Sequence, residues 1–367
     1  MNKSIQKMHD FYSMKKNAPI VQEDFGFYSL DRWKSEGHIS ENTDLSKLFS
    51  YDEKSKHNLN QLGWCEAGFS PKFEEKIIED RGEHELVQDW AGRHVLFFKG
   101  RRDGFMPEYV DHPVKDMLTW ERDVKWRLLP ETAERFTDFD LRMKAASENV
   151  EKGMITCQNM VGGYMYLRSL LGPEGALYMF YDDPDLIHAC MRAWFELADY
   201  VIEKHQKFVT IDELFLAEDI CYNNGPLISP DMMREFLFPY YQQLITNMKK
   251  RQLDKSRHLY IQIDTDGDCR PAIPVYREIG MDYMSPFEVA SGCDVVELRK
   301  KHPDLLFRGG FDKRILAEGI DAIDREIDRI MPFMKEQGGY IPTCDHGVPE
   351  EVSFENYMHF RKRLSEF

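Results

Sequence analysis

The sequence predicts an α/β protein, a (β/α)8 TIM barrel with an N-terminal extension and an inserted β-hairpin. Three observations carry this. Short apolar stretches alternate with longer amphipathic segments, the pattern of a parallel sheet with crossover helices. Eight such stretches can be counted. No internal repeat, low-complexity tract or Gly/Ser linker divides the 367 residues, so they read as one domain, 1–367. A single barrel reaches that length with insertions.

The eight strands are expected at residues 19–28, 61–70, 153–160, 211–219, 258–266, 281–288, 304–312 and 338–345. The later ones are clearest, as in LFLAED, LYIQIDTDG, LLFRGGFD and GGYIPTCDHG. Helix starts are marked where Asp183-Pro184 and Ser229-Pro230 place a capping side chain before a proline at the first helical position. Beyond Pro184, Ile187, Met191, Trp194, Ala198 and Val201 fall on one helical face. Ile323, Ile327, Ile330 and Met334 do the same near the C-terminus, and both faces are expected to pack on the sheet. Residues 85–110 read as a β-hairpin with turns at Gly92 and Gly104, an insertion spanning about 83–110. Residues 29–60 are polar and irregular, a loop over the barrel mouth or a partner surface.

The charge narrows the function. With 64 acidic against 48 basic residues the net charge is −16, a field that repels phosphate backbones and anionic membranes. The basic clusters Lys249-Lys250-Arg251 and Lys99, Arg101, Arg102 are short and read as solvated surface. Nucleic-acid binding is therefore not expected. No apolar run approaches the ~18 residues of a membrane span, and Met1–Asp10 lacks the apolar stretch of a signal peptide. The seven cysteines are scattered, which suits free thiols in a reducing cytoplasm.

In a barrel the last residues of every strand meet at one mouth. Here these are Glu66, Asn159, Glu218, Asp219, Asp264, Asp266, Glu288, Asp312, Cys344, Asp345 and His346. So many carboxylates repel one another, and some must be protonated, paired with Arg308 or Lys313, or bound to a cation. Cys344 and His346, with Asp264 or Glu218, have the donor chemistry of a zinc site. The plainer reading makes Cys344 an inert buried thiol and His346 a hydrogen-bonding partner of the loop before Pro349. Asp264-Thr265-Asp266-Gly267-Asp268 imitates the start of a calcium loop, but position twelve is Val275 and prolines 271 and 274 interrupt it. A strand end followed by a helix explains it better. Gly309-Gly310 is too short to cradle phosphate and implies close backbone approach.

The stretch IDTDGDCRPAIPVYREIGMDYMSPFEVASGCDVVELRKKHPDLLFRGGFDKRILAEG, closed by GGYIPTCDHGVPEEVSFENY, resembles the C-terminal half of proteins of the uroporphyrinogen decarboxylase superfamily. FLAEDICYNNGPLISPDMMREFLFPYYQQLI, LGPEGALYMFYDDPDLIHACM and LDRWKSEG fit it too. The resemblance is strong from about Gly153 onward and weak in the hairpin and residues 38–60. It implies a (β/α)8 barrel and one of two chemistries, decarboxylation of uroporphyrinogen or methyl transfer to or from a corrinoid. The decarboxylases carry an arginine-rich signature resembling RQAGRY; Ala91-Gly92-Arg93 is only a fragment of it, in the hairpin. The thiol-methylating branch carries a His-x-Cys pair where this chain has Gln262-Ile263-Asp264, while its later cysteine matches Cys344.

The resemblance therefore implies a corrinoid-dependent methyltransferase, moving a methyl group between a small O- or N-methylated substrate and a separate corrinoid protein. Asp264, Cys344 and His346 are the expected zinc ligands. Glu218, Asp219, Glu288 and His346 are the expected acids and bases, and Tyr28, Asn159, Tyr222 and Asp312 the expected substrate contacts. The early insertion offers a surface for a homodimer. Two alternatives stay open. One is a metal-free decarboxylase or lyase, with Asp264 or Glu218 stabilising a developing cation and His346 supplying a proton. The other is a non-catalytic barrel that docks on a corrinoid protein.

Overall fold

A computed structural model of the chain describes residues 2–100 and 107–367. In chain order its strands are β1 (Lys56–Leu62), β2 (Lys76–Arg81), β3 (His84–Gln88), β4 (His94–Phe98), β5 (Glu108–Asp111), β6 (Ile155–Val161), β7 (Glu213–Ala217), β8 (Cys221–Tyr222), β9 (Gly225–Pro226), β10 (Tyr260–Asp264), β11 (Tyr283–Ser285), β12 (Leu306–Arg308) and β13 (Tyr340–Ile341). Seven of them form one parallel sheet in the order β1-β6-β7-β10-β11-β12-β13. Each crossover steps to the adjacent strand, which is the winding of a TIM barrel. Helices cover the outside. Pro184–Gln206 buries Ile187, Met191, Trp194, Ala198 and Val201, and Ile320–Gln337 buries Ile323, Ile327, Ile330 and Met334, as their spacing predicts. Asp183 accepts from the Leu186 N–H at 3.1 Å and Ser229 from the Met232 N–H at 3.1 Å, so both predicted caps form.

The first two predicted strands lie differently. Residues 19–28 run extended but make no ladder; one parallel bridge joins Phe27 to Val348. On the other side Gln22 and Asp52 bond reciprocally, the Gln22 N–H to the Asp52 carboxylate at 2.7 Å and the Asp52 N–H to the Gln22 carbonyl at 2.9 Å. The segment thus fills the eighth position without strand geometry. The second strand is β1, several residues before the expected 61–70. Lys56 and Asn58 line the barrel lumen, so its inward face is polar and lacks the apolar alternation that marks a strand. Short helices at Leu30–Ser35 and Leu45–Leu48 also replace part of the expected loop over 29–60.

The insertion is larger than one hairpin. β2 to β5 form a four-stranded antiparallel sheet. The turn before β4 uses Gly92 as predicted, with Asp89 accepting from the N–H groups of Ala91 and Arg93. β2 is exposed along its whole length, so no buried face announces it in the sequence. The predicted turn at Gly104, with Arg101 and Arg102, lies outside the described residues. All seven cysteines are free. Among the described residues no helix is long and apolar enough to cross a membrane.

At the barrel mouth Gly309 and Gly310 have φ of +107° and +79°. A Cβ on Gly309 would lie 1.9 Å from the Pro286 carbonyl oxygen, and one on Gly310 2.1 Å from a Val295 methyl. This pair lets β12 pass close to the loop after β11. Gly309→Ala is expected to destabilise the protein by about 2 kcal/mol or more, because steric overlap and left-handed strain combine. Thermal unfolding of the variant measures it.

Candidate active site

The mouth holds a cavity of about 380 Å³ at the C-terminal ends of the strands, lined by Asp219, Asp264, Asp266, His346 and a ring of aromatic side chains. Alternation along each strand decides which residues reach it. Asp264, the last residue of β10, points in and accepts a hydrogen bond from the Ser285 hydroxyl on β11. Burial pushes its carboxyl up to about 7, against the pull of that hydrogen bond, and the nearby Asp266 adds to the rise. Asp266 is itself pushed up to about 6 by burial, with the charges of Asp219 and Glu288 adding to it and His346 opposing. The Nε2 of His346 is 3.7 Å from Asp266, and its ring stacks on Tyr28 at 5.9 Å between centroids. Asp219, held at φ +40°, forms an ion pair with Arg168 at 2.6 Å.

The other predicted residues are elsewhere. Glu218 is fully buried and turned out of the barrel. It accepts from the Tyr241 hydroxyl at 2.6 Å and the Tyr164 N–H at 3.0 Å, which ties β7 to helix Gly163–Leu171. Glu288 accepts from the Gly267 N–H at 3.0 Å and Lys313 at 3.1 Å. Burial raises its carboxyl, but those two bonds outweigh it and hold the group low. Asp312 is closed on Arg314 at 2.7 Å. Tyr222 is exposed on β8, outside the cavity. Asn159 lies in a second chamber, deeper in the barrel.

The expected zinc set is not brought together. Cys344 is 0% exposed and belongs to the outer apolar core. Burial first, and then the charges of Asp24 and Asp345, push its thiol well up. Asp264 and His346 line the mouth, whereas Cys344 does not. Among the described residues no three His, Cys, Asp or Glu side chains converge as metal ligands. The donor set therefore does not fit zinc at this place.

Several mouth residues escape the sequence reading. Trp64 and Cys65 line the cavity directly after β1, and Trp64 stacks on Phe215 at 4.8 Å. With the second strand placed at 61–70, these two positions fall inside it; with β1 at its true position they are strand-end residues. Arg168, which pairs with Asp219 from behind the cavity lining, sits on a helix and no strand-end rule reaches it.

Comparison with known proteins gives a family and a full-length fold match. The model of the uroporphyrinogen decarboxylase (URO-D) family matches residues 143–367. A methyltransferase from Methanosarcina mazei superposes with a TM-score of 0.59 at 13% identity, covering 99% of this chain and 98% of that one. Xylanase B from Clostridium stercorarium F9 gives a TM-score of 0.35 at 14% identity, covering 63% of this chain and 78% of that one. No curated protein matches the sequence.

Two outcomes follow from the site. Asp264 holds a proton in the folded chain up to about pH 7, whereas the unfolded carboxyl releases it near 3.8. Stability should therefore fall as pH rises between those values, by up to about 4 kcal/mol from this group. Asp264→Asn should remove that slope, as read by chemical denaturation at about pH 5 and about pH 8. Cys344→Ser should leave the zinc content of the purified protein unchanged, as read by elemental analysis; loss of one bound zinc per chain would contradict the geometry.

Proposed function

The chain belongs to the uroporphyrinogen decarboxylase (URO-D) family, and from that premise we propose that it is a corrinoid-dependent methyltransferase. It takes a methyl group from a small O- or N-methylated substrate and passes it to cobalt in a corrinoid carried by a separate protein. The corrinoid is a substrate of the reaction here. The observation that supports this reading is a carboxylic acid poised near neutrality, Asp264, in a small aromatic-rimmed cavity with no arginine or lysine in its lining among the described residues. Uroporphyrinogen carries many carboxylates and wants a cationic site. This mouth is acidic.

For an O-methyl substrate the difficulty is the leaving group. As the nucleophile takes the methyl carbon, the C–O bond breaks and its electron pair goes to oxygen. The protonated Asp264 gives its proton to that oxygen, leaving an alcohol and a carboxylate. Ser285 holds the carboxyl in position through its hydrogen bond. Asp266 and His346, 3.7 Å apart and nearer solvent, offer a route by which the proton is replaced. With an N-methylated cation the same carboxylates stabilise its charge instead.

The assay uses methoxylated aromatics and methylamines with a reduced corrinoid protein. Asp264→Asn is expected to lower turnover of methoxylated substrates by about 10²- to 10⁴-fold, the usual yield of a positioned acid. Cys344→Ser should keep near-full turnover. Full activity in Asp264→Asn would refute the acid role.

A further inference from the structure

A TIM barrel is ordinarily filled by layers of branched apolar side chains. This one is not. Asn58 from β1, Asn159 from β6, Gln262 from β10 and Arg308 from β12 surround a chamber of about 310 Å³ beneath the mouth. By volume it has room for roughly ten waters at about 30 Å³ each. Its side wall is formed by residues 52–55 and 21–23, which belong to no ladder among the described residues.

The charges inside are unevenly satisfied. Lys56 reaches both oxygens of Glu213 at 3.0 and 3.1 Å, and the Tyr12 hydroxyl donates to the same carboxylate. That group is complete. Arg308 is not. Its Nε lies 2.7 Å from Glu23, and its guanidinium stacks on Phe25 at 4.0 Å. The pair with Glu23 is ionic only: the buried Nε has no hydrogen-bond partner among the described residues, so the guanidinium keeps N–H groups to offer, and Asn58 and Asn159 line the chamber beside it. An arginine fork with free parallel N–H bonds matches a planar two-oxygen acceptor.

We propose that this chamber binds a carboxylate on Arg308, with Asn58 and Asn159 beside it, and that the carboxylate is the non-reacting end of the methylated substrate. The two cavities adjoin. Trp64 lines both, and Phe25, the ring beneath Arg308, also lines the mouth. A molecule that spans them places its carboxylate in the lumen and its methyl group near Asp264. The second half of this proposal rests on the methyl-transfer reading; the carboxylate site does not.

The test is calorimetric titration of the whole chain, without corrinoid, using benzoate and the isosteric neutral benzamide. Benzoate should bind, benzamide should bind at least about 10-fold more weakly, and Arg308→Gln should weaken benzoate by a similar factor. Arg308→Lys should recover only part of it. Asn159→Leu, which leaves the arginine in place, should weaken benzoate about 3-fold or more and covers the case in which Arg308→Gln fails to fold. Equal binding of benzoate and benzamide, no binding of benzoate, or unchanged affinity in Arg308→Gln would each overturn the proposal. A chain that binds benzoate through Arg308 but transfers no methyl group overturns the methyl-transfer reading and leaves the carboxylate site standing.

Discussion

Among the described residues no ladder joins β13 to β1, so residues 19–28 are held in the barrel wall largely by side chains in place of full backbone pairing. Gln22 bonds Asp52 on one side, while its own side chain accepts from Arg361 at 2.7 Å and donates to the Leu364 carbonyl at 3.1 Å on the C-terminal helix. Alternation then divides the next two residues. Glu23 faces the lumen and meets Arg308; Asp24 faces the outer core and accepts from Tyr357 at 2.8 Å. A carboxylate placed in a barrel interior demands a cation, and a cation there demands further polar neighbours. The polar lumen and its chamber follow from how the last position in the wall is filled.

The mouth resolves its crowd of carboxylates one at a time. Glu66 is paired with Arg93, Asp219 with Arg168, Asp312 with Arg314, and Glu288 with Lys313, which also lies 3.8 Å from Asp345. Glu218 leaves the mouth and is satisfied by a hydroxyl and backbone N–H groups. Among the described residues Asp264 and Asp266 are left without an arginine or lysine in ion-pair contact, and burial pushes these two up to about 7 and about 6. A buried carboxyl with no cation beside it takes up a proton. The acid of the site is thus defined by what its neighbours have already claimed.

The sequence makes the barrel legible because six of its strands are apolar enough to stand out, and the caps at Asp183 and Ser229 fix two helices. β1 is misplaced because Lys56 and Asn58 belong to the lumen, and a functional interior erases the pattern by which strands are found. In the site, the strand-end rule brings Asp219, Asp264, Asp266 and His346 to one cavity, where Tyr28, expected as a substrate contact, joins them. It fails at Glu218 because of alternation, and at Cys344 because residues 344–346 lie beyond β13, where the chain no longer alternates: Cys344 packs in the outer core and His346 lines the mouth. Successive residues point to opposite faces, so a strand end supplies the mouth with alternate residues and the outer core with the rest. Ala217 and Asp219 face in and Glu218 faces out.

The burial of Cys344 bears on the chemistry. A zinc–thiolate needs a deprotonated sulfur facing the substrate. Cys344 faces the outer core, where burial and the charges of Asp24 and Asp345 oppose ionisation. With the thiol so placed, a proton is the electrophile that this chain's own residues would supply to the departing oxygen in the proposed methyl transfer. A carboxylic acid at its ordinary value would be ionised at neutral pH and useless as a donor; one raised far above 7 would be occupied but weak. About 7 keeps Asp264 substantially protonated while it remains a competent acid. General acid catalysis of this kind supplies only part of a barrier, so the remainder must come from holding the methyl group in line. In the proposed reaction, a fixed contact at the far end of the substrate, below Trp64, would build such positioning without crowding the open mouth that the proposed corrinoid protein would approach.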